Sequence, residues 1–432
     1  MSSCARSSEE GSKRRWRLRT IGAALALVAA GGGLSAAPPP AVQDSAPAAA
    51  ACRTKSVAIT FDFEGASPAR CVIHGEREFT LVITPEHGLP INPSPWYAFR
   101  YRAEPGEEPV IHLSYLGARH RYAPKWSDGK QSRELAVQTS EDGTRATFRL
   151  PAGRAIVSAQ EIVDAGAYRR MIARWSRGSH GTRLILGRTL DRRPIEAVLL
   201  GRADAPRLVL LIGRQHPPEV TGAVAMEAFV DRIAGLLAAD RKLADRYQFL
   251  VVPLLNPDGV ALGHWRANRG GKDLNRDWGA FTQPETAAVR QWLDRRASAV
   301  HPVLMIDFHS TQRNLFYVQG EEAGAAGERF LASWLAGKEQ ALTDYPFTIE
   351  RRDANPGGGT AKNWFYAAYG VPAYTYEVAD TADREATRAA ARTLAADLLG
   401  ALDGAENSLG VQMTPRAARS TSPSLPIPSN SP

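Results

Sequence analysis

The sequence predicts an α/β protein in which an N-terminal antiparallel β-sandwich precedes a mixed, mostly parallel α/β/α domain. The chain has 432 residues. This length exceeds that of most domains built around a single hydrophobic core, so we expect two domains. Short segments with strand composition, separated by Gly, Pro and Asp turns, fill residues 52–165, which is typical of a sandwich. From about residue 185, strand and helix patterns alternate, which indicates a largely parallel sheet covered by helices. We therefore assign residues 52–165 to the sandwich and residues 166–403 to the second domain.

The N-terminal segment has the features of a secretory signal peptide. A basic region ends at Arg19, an apolar run of small and aliphatic residues follows, and Leu34-Ser35-Ala36 resembles a cleavage site. The apolar run is shorter than the roughly 20 residues of a membrane-spanning helix. We expect a signal peptide over residues 1–37, a flexible Pro/Ala-rich linker over residues 38–51, and a secreted or periplasmic protein without stable membrane insertion. An uncleaved membrane anchor is the alternative, and Arg14-Arg15 leaves a twin-arginine signal open.

Two cysteines, Cys52 and Cys71, remain after removal of the predicted signal peptide. A single cysteine pair in an exported protein predicts a disulfide bond. The alternative is that Cys52, which follows three alanines, is a lipidated N-terminus.

Five segments of the first domain carry the strand pattern. Residues 57–63 and 79–83 alternate between apolar and polar side chains, and residues 96–101 and 110–115 are rich in aromatic and β-branched side chains. Residues 144–150 follow an Asp-Gly turn. Each pattern fits a strand that buries one face.

The second domain alternates buried strands with amphipathic helices. Strands are expected over residues 208–212, 249–255, 303–306 and 373–377, and helices over residues 223–237, 284–296, 325–342 and 383–402. A proline and a glutamate open the second of these helices, as is common at helix starts. The remaining residues, 404–432, are rich in Ser and Pro and are expected to be disordered.

Composition and charge argue against nucleic-acid binding. The chain is 44% hydrophobic and 23% charged, as in soluble globular proteins. Six basic and two acidic side chains lie within residues 1–37, so half of the net charge of +8 belongs to the predicted signal peptide. No basic run interleaved with aromatic residues occurs after it, and we expect no nucleic-acid partner. The sequence gives no indication of the oligomeric state.

Chemically active side chains lie at the ends of the predicted strands of the second domain. His216 and Glu219 follow one strand, His309 follows another, and Glu377 ends a third. Ligands bind at the carboxyl ends of strands in open α/β sheets, so these side chains should meet at one edge. Two imidazoles and one carboxylate form a catalytic zinc site whose fourth position is open to water. The sequence therefore predicts one Zn²⁺ per chain, with Glu377 left over for acid–base chemistry.

These motifs resemble the zinc metallocarboxypeptidases, and most of all the branch of cytosolic carboxypeptidase-like enzymes, which place a β-sandwich before the catalytic domain. The resemblance covers most of residues 52–402 and therefore implies a zinc carboxypeptidase fold for the second domain. The motifs that carry it are Arg214-Gln-His-Pro-Pro-Glu219, Leu255-Asn-Pro-Asp-Gly259, Asp273-Leu-Asn-Arg276 and Tyr374-Thr-Tyr-Glu377, with Trp96-Tyr-Ala-Phe99 and Tyr122-Ala-Pro-Lys-Trp126 in the first domain.

The resemblance implies a role for each residue of the site. Glu377 would take a proton from zinc-bound water and pass it to the leaving amine, and Arg266 would stabilise the oxyanion. Asn275 and Arg276 would bind the terminal carboxylate of a peptide substrate. Asp273 would orient His216, although capping a turn is an alternative for this residue.

Specificity is expected to depend on the loop that contains Lys362. An ammonium group there would favour a C-terminal Glu or Asp; the alternative is that Lys362 is solvated or paired with a carboxylate. The family also has a tyrosine that closes over the substrate, but residues 351–359 contain none, and Tyr345 nearby cannot be aligned with it.

Two alternatives to a carboxypeptidase remain open. An amidohydrolase of the succinylglutamate desuccinylase or aspartoacylase type shares the zinc ligands but cleaves small N-acyl amino acids. A degenerate peptide- or glycan-binding protein is the alternative that is not an enzyme.

Overall fold

The computed structural model describes residues 52–178, 181–352 and 358–407. The predicted signal peptide and linker, and the tail beyond residue 407, lie outside these residues. Within them, no helix is both long enough and apolar enough to cross a membrane.

Two packed sheets form the first part of the described chain. Their strands are β1 (Cys52–Arg53), β2 (Val57–Thr60), β3 (Arg70–Gly75), β4 (Glu78–Ile83), β5 (Ala98–Ala103), β6 (Val110–Tyr115), β7 (Lys125–Ser127), β8 (Ser132–Glu134), β9 (Gln138–Thr139), β10 (Arg145–Arg149) and β11 (Gly153–Ser158). One sheet has the order β1-β2-β5-β11-β7-β8 and the other β3-β4-β6-β10-β9.

The two sheets pack face to face because apolar side chains alternate with polar ones along their strands, so that each sheet has one apolar face. Strand β4 buries Phe79, Leu81 and Ile83 and leaves the residues between them more exposed. These side chains share a core with residues of the other sheet, among them Tyr101 and Val157. The predicted sandwich is therefore confirmed. A disulfide between Cys52 in β1 and Cys71 in β3 links the two sheets.

One strand pair departs from the antiparallel arrangement that the sequence predicts. Strands β4 and β6 are parallel, whereas the other pairs in these two sheets are antiparallel. The strand between them in the chain, β5, belongs to the other sheet. The chain therefore crosses from one sheet to the other and returns in the same direction.

The second part of the described chain forms a mixed sheet between helices. Its elements are α1 (Ala165–Trp175), β12 (Gly181–Arg188), β13 (Pro194–Leu200), β14 (Arg207–Gly213), α2 (Val220–Ala239), α3 (Arg241–Arg246), β15 (Tyr247–Val252), α4 (Pro257–Leu262), α5 (Pro284–Arg296), β16 (His301–Thr311), β17 (Leu315–Val318), α6 (Gly324–Trp334), α7 (Lys338–Ala341), β18 (Thr348–Arg351), α8 (Ala361–Tyr369), β19 (Ala373–Ala379) and α9 (Arg384–Asn407). The sheet order is β12-β13-β15-β14-β16-β19-β17-β18.

The four central strands of this sheet, β15, β14, β16 and β19, run parallel to one another. Successive side chains of β14 point to opposite faces. Val209 and Leu211 join a core cluster that includes residues of α2 and α9, whereas Leu208 and Leu210 join a cluster that includes residues of α5 and α8. The predicted α/β/α architecture is therefore confirmed.

Several predicted elements differ in extent from those observed, and the strand predicted over residues 249–255 ends at Val252. Strand β16 continues to Thr311, because its pairing with β19 extends through His309. The helix predicted over residues 325–342 is two helices, α6 and α7, because Gly337 adopts a left-handed conformation with φ of 80°. Helix α9 ends at Asn407, so it continues past residue 404, the expected start of the tail.

Candidate active site

His216 and Glu219 lie in the short loop between β14 and α2. Arg214 opens this loop with φ of 53°, a left-handed conformation that is unfavourable for a residue with a Cβ. The buried guanidinium of Arg214 stabilises the turn by donating hydrogen bonds to the hydroxyl of Tyr168 at 2.8 Å and to the carbonyl of Pro217. Glu219 directly precedes the first turn of α2. The reversal of the chain therefore places both side chains at the carboxyl end of β14.

His309 and Glu377 lie on neighbouring parallel strands, β16 and β19. They are paired positions in the register, so their backbones are adjacent. Both residues lie within their strands rather than after them, which corrects the predicted position of His309. The register brings a candidate metal ligand beside a candidate acid–base group without any intervening loop.

The side chains of His216, Glu219 and His309 converge. Each offers one ligand atom, and these three atoms lie within 4.8 Å of one another. Nδ1 of His216 lies 2.8 Å from Oε1 of Glu219, and Nδ1 of His309 lies 2.7 Å from Oε2 of the same carboxylate. Two imidazole nitrogens and a carboxylate are a donor set suited to zinc. These residues therefore fit the group that the sequence predicts.

The outer nitrogen of each imidazole faces an aspartate. Nε2 of His216 lies 2.9 Å from Asp273, and Nε2 of His309 lies 2.8 Å from Asp307. A carboxylate on the outer nitrogen favours the tautomer whose inner nitrogen is free to bind a metal. Asp273 occupies the position expected of it, whereas sequence reasoning missed Asp307. Its spacing from His309 was an available signal, since residues two apart in a strand share a face.

The two glutamates of the candidate site, Glu219 and Glu377, have opposite pKa shifts. Burial alone would raise the pKa of Glu219, but the neighbouring His216 and His309 hold it well below its usual value. Burial raises the pKa of Glu377 to about 7; His309 acts against this increase and Glu219 adds to it. Oε2 of Glu377 is buried and has no hydrogen-bond partner within the described residues. Glu377 is therefore suited to exchanging a proton near neutral pH.

The three predicted anion-binding residues line the same cavity as the candidate metal ligands. Arg266 donates from Nε to Asp273 at 2.8 Å. Asn275 accepts a hydrogen bond from the backbone N–H of Ala361 at 2.9 Å, and Arg276 is exposed and donates to the carbonyl of Asn275 at 2.6 Å. The lining of the cavity therefore combines the guanidinium groups of Arg266 and Arg276 with the carboxylates of Glu219 and Glu377.

Lys362 also lines the cavity, but its ammonium group is engaged. The side chain is buried, and Nζ donates to the backbone carbonyls of Arg352 at 2.9 Å and Val318 at 3.3 Å. Tyr345 is buried in the core beside Tyr376 and is not among the cavity residues. Residues 353–357 lie outside the described part of the chain.

The N-terminal sheets contribute a wall of the cavity that sequence reasoning missed. Arg121 and Tyr122 lie in the loop before β7 and line the cavity. Arg121 forms an ion pair with Asp380 at 2.7 Å, and the hydroxyl of Tyr122 accepts a hydrogen bond from Nε1 of Trp265 at 3.1 Å. Both contacts join residues that are far apart in the sequence.

The second part of the described chain matches a family of known proteins. The zinc carboxypeptidase family model matches residues 169–392. Cytosolic carboxypeptidase 3 from Mus musculus is 35% identical over 123 residues, which are 27% of this chain and 12% of that protein. Cytosolic carboxypeptidase 2 from Homo sapiens is 34% identical over 119 residues, which are 26% of this chain and 13% of that protein. The match therefore spans about an eighth of the length of these curated relatives.

Solved structures share the fold over most of the chain. A metallo-carboxypeptidase from Burkholderia cenocepacia superimposes with a TM-score of 0.67 at 21% identity, covering 81% of this chain and 99% of that one. A metallo-carboxypeptidase from Pseudomonas aeruginosa, in complex with (2-guanidinoethylmercapto)succinic acid, gives a TM-score of 0.62 at 22% identity, covering 81% of this chain and 99% of that one. At this level of identity, the likeness shows a common fold.

Proposed function

The chain belongs to the zinc carboxypeptidase family, and we propose that it hydrolyses the C-terminal peptide bond of peptides. One observation carries the proposal. The ligand atoms of His216, Glu219 and His309 converge, and the carboxylate of Glu377, with its pKa raised to about 7, lies on the strand beside His309. A metal and a proton-transfer group at one site are the requirements of metal-assisted hydrolysis.

One zinc ion per chain would be held by the two Nδ1 atoms and the carboxylate of Glu219. When bound, it would supply a Lewis acid that polarises the scissile carbonyl and lowers the pKa of water. Asp273 and Asp307 fix the rings of the two histidines by contacting their outer nitrogens. The chain itself would thus determine which nitrogen of each ring is available to a bound metal.

Glu377 would act first as a base and then as an acid. In the first step its carboxylate takes a proton from the attacking water, and in the second it gives that proton to the leaving nitrogen. A group whose pKa lies near the working pH performs both steps efficiently. The burial that raises the pKa of Glu377 therefore supports the role that we propose for it.

The cationic wall of the cavity would bind the negative charges of substrate and transition state. Arg266, beside the metal-site residues, would stabilise the oxyanion that develops on the scissile carbonyl. Arg276 and Asn275 would bind the terminal carboxylate, for which a guanidinium offers two parallel donors.

We also propose a preference for C-terminal Glu or Asp. Lys362 places a positive charge at the cavity wall, and Arg352, whose guanidinium lies over the ring of Tyr317, adds a second one. Rates on peptides ending in Glu, Lys and Phe, measured for wild type and Lys362→Ala, test this preference. The exposed Lys130 provides a matched control, Lys130→Ala. Equal rates on all three peptides in the wild type would refute it.

Export remains our proposal for localisation. The disulfide between Cys52 and Cys71 is of the kind that persists in oxidising compartments. Fractionation of the native host, followed by N-terminal sequencing of the isolated protein, tests it. A cytosolic protein that retains Met1 would contradict export.

Release of amino acids from a mixed peptide library by the zinc-loaded protein tests the main proposal. We expect stepwise loss of C-terminal residues in the wild type. This activity should be lost in Glu377→Gln and retained in Glu385→Gln, a control at an exposed glutamate. Turnover of small N-acyl amino acids without turnover of peptides would instead favour an amidohydrolase. Tight peptide binding without any turnover would favour a binding protein.

A further inference from the structure

A carboxylate from the N-terminal sheets binds the main chain of the segment that carries Arg266. Glu86 follows β4, and its Oε1 accepts hydrogen bonds from the backbone N–H groups of Arg266, at 2.9 Å, and Ala267, at 2.6 Å. Its Oε2 accepts a hydrogen bond from the backbone N–H of Trp265. One carboxylate thus binds three consecutive main-chain donors. Such charge-assisted hydrogen bonds are stronger than neutral ones and fix the direction of the chain.

The opposite side of the same segment is joined to the metal-site residues. The guanidinium of Arg266 donates to Asp273, which also contacts the outer nitrogen of His216. The carbonyl of Ala267 accepts a hydrogen bond from the side chain of Asn256 at 3.2 Å. The backbone of Arg266 is therefore fixed by Glu86 while its side chain is fixed beside the metal ligands.

We propose that Glu86 is a positioning residue for Arg266, and that the N-terminal sheets contribute to catalysis through this contact. The inference rests on the proposed function, in which Arg266 stabilises the oxyanion. Removing the charge of Glu86 would weaken the hydrogen bonds of three main-chain donors and allow the segment to shift. A displacement of about 1 Å in a group that stabilises a transition state can lower the rate about 100-fold.

The first experiment compares Glu86→Gln with wild type in peptide hydrolysis. The substitution keeps the size of the side chain and one oxygen acceptor but removes the charge. We expect kcat to fall about 10- to 100-fold with KM changed less than about twofold, because the lost interaction acts in the transition state. Zinc content should be unchanged. Glu78→Gln is the matched control, since Glu78 is exposed at the start of β4, the strand that precedes Glu86, and contacts His112 instead.

A double-mutant cycle with Arg266→Ala separates positioning from a purely structural role. If Glu86 acts through Arg266, adding Glu86→Gln to Arg266→Ala causes no further loss of kcat. An additive loss would overturn the proposal, and so would an unchanged kcat in Glu86→Gln.

Hydrogen exchange of the backbone amides of residues 265–267 provides a readout that does not depend on activity. We expect exchange at least about tenfold faster in Glu86→Gln than in wild type, because local opening becomes easier. Unchanged exchange would overturn the proposal. If the zinc-loaded wild type hydrolyses no peptide, the proposed function is refuted. Faster exchange in Glu86→Gln than in wild type would still support the positioning of Arg266 by Glu86 in that case.

Discussion

Helix α2 approaches the backbone of β16 so closely at Gly222 that any side chain there would displace a candidate zinc ligand. A Cβ built on Gly222 would lie 2.4 Å from the carbonyl oxygen of His309 and 2.8 Å from its carbonyl carbon. The backbone N–H of Gly222 also donates to the hydroxyl of Ser310 at 2.9 Å. Because the clash involves backbone atoms, no rotation of a side chain can relieve it. Gly222→Ala must therefore move the helix away from the strand by about 1 Å, an overpacking distortion.

The cost of this substitution can be compared with that of the same change elsewhere in the same helix. Overpacking costs about 1–3 kcal/mol, and alanine gains up to about 1 kcal/mol over glycine in a helix. We therefore expect Gly222→Ala to lower the free energy of unfolding by about 1–2 kcal/mol. Gly235 also lies in α2, and a Cβ added to it would meet no heavy atom within 4 Å, so Gly235→Ala should stabilise the protein slightly.

Urea unfolding and zinc competition with a chelating dye measure the two consequences. In Gly222→Ala we expect a lower urea midpoint and a zinc affinity reduced about tenfold, since the backbone of His309 moves relative to Glu219. In Gly235→Ala the midpoint should rise and zinc affinity should not change. The reasoning is refuted if Gly222→Ala unfolds at the wild-type midpoint and binds zinc as tightly, or if Gly235→Ala loses as much stability.

Three further predictions concern the metal site and a buried acid. Asp307→Asn should lower zinc affinity about 10- to 100-fold, measured with the same dye; an unchanged affinity would contradict the orienting role of Asp307. Removing zinc with a chelator should lower the urea midpoint, because a ligand of the folded state stabilises it, and adding zinc back should restore it. Burial, with smaller contributions from Asp258 and Asp277, raises the pKa of Glu285 from 4.5 to about 7. The folded state therefore holds this proton more tightly than the unfolded state, and stability falls as the pH rises from about 4.5 to about 7, by up to about 3 kcal/mol. Glu285→Gln should therefore be more stable than wild type at pH 8 but not at pH 4.5, and equal differences at both pH values would contradict this explanation.

Local sequence patterns were sufficient to predict the fold class. Three kinds of evidence depended only on neighbouring residues. They are the burial patterns of β4 and β14, the start of α5 at Pro284, and the alternation of strands with helices. The family was recognisable from short ordered motifs, and the family match includes those of the second domain. The predicted bounds of an element were wrong where a single residue or a long-range strand pairing decided its extent, as at Gly337 and at the end of β16.

The sequence by itself determined the chemistry available to this protein, because the side-chain types of His216, Glu219, His309 and Glu377 restrict what a site can do. Only the tertiary structure decided how these groups are arranged. The register of β16 against β19 places His309 beside Glu377, and Glu86 reaches the backbone of Arg266 from 180 residues away. Such contacts depend on the pairing of strands and the packing of sheets that are remote in the chain, and local propensity carries no information about them.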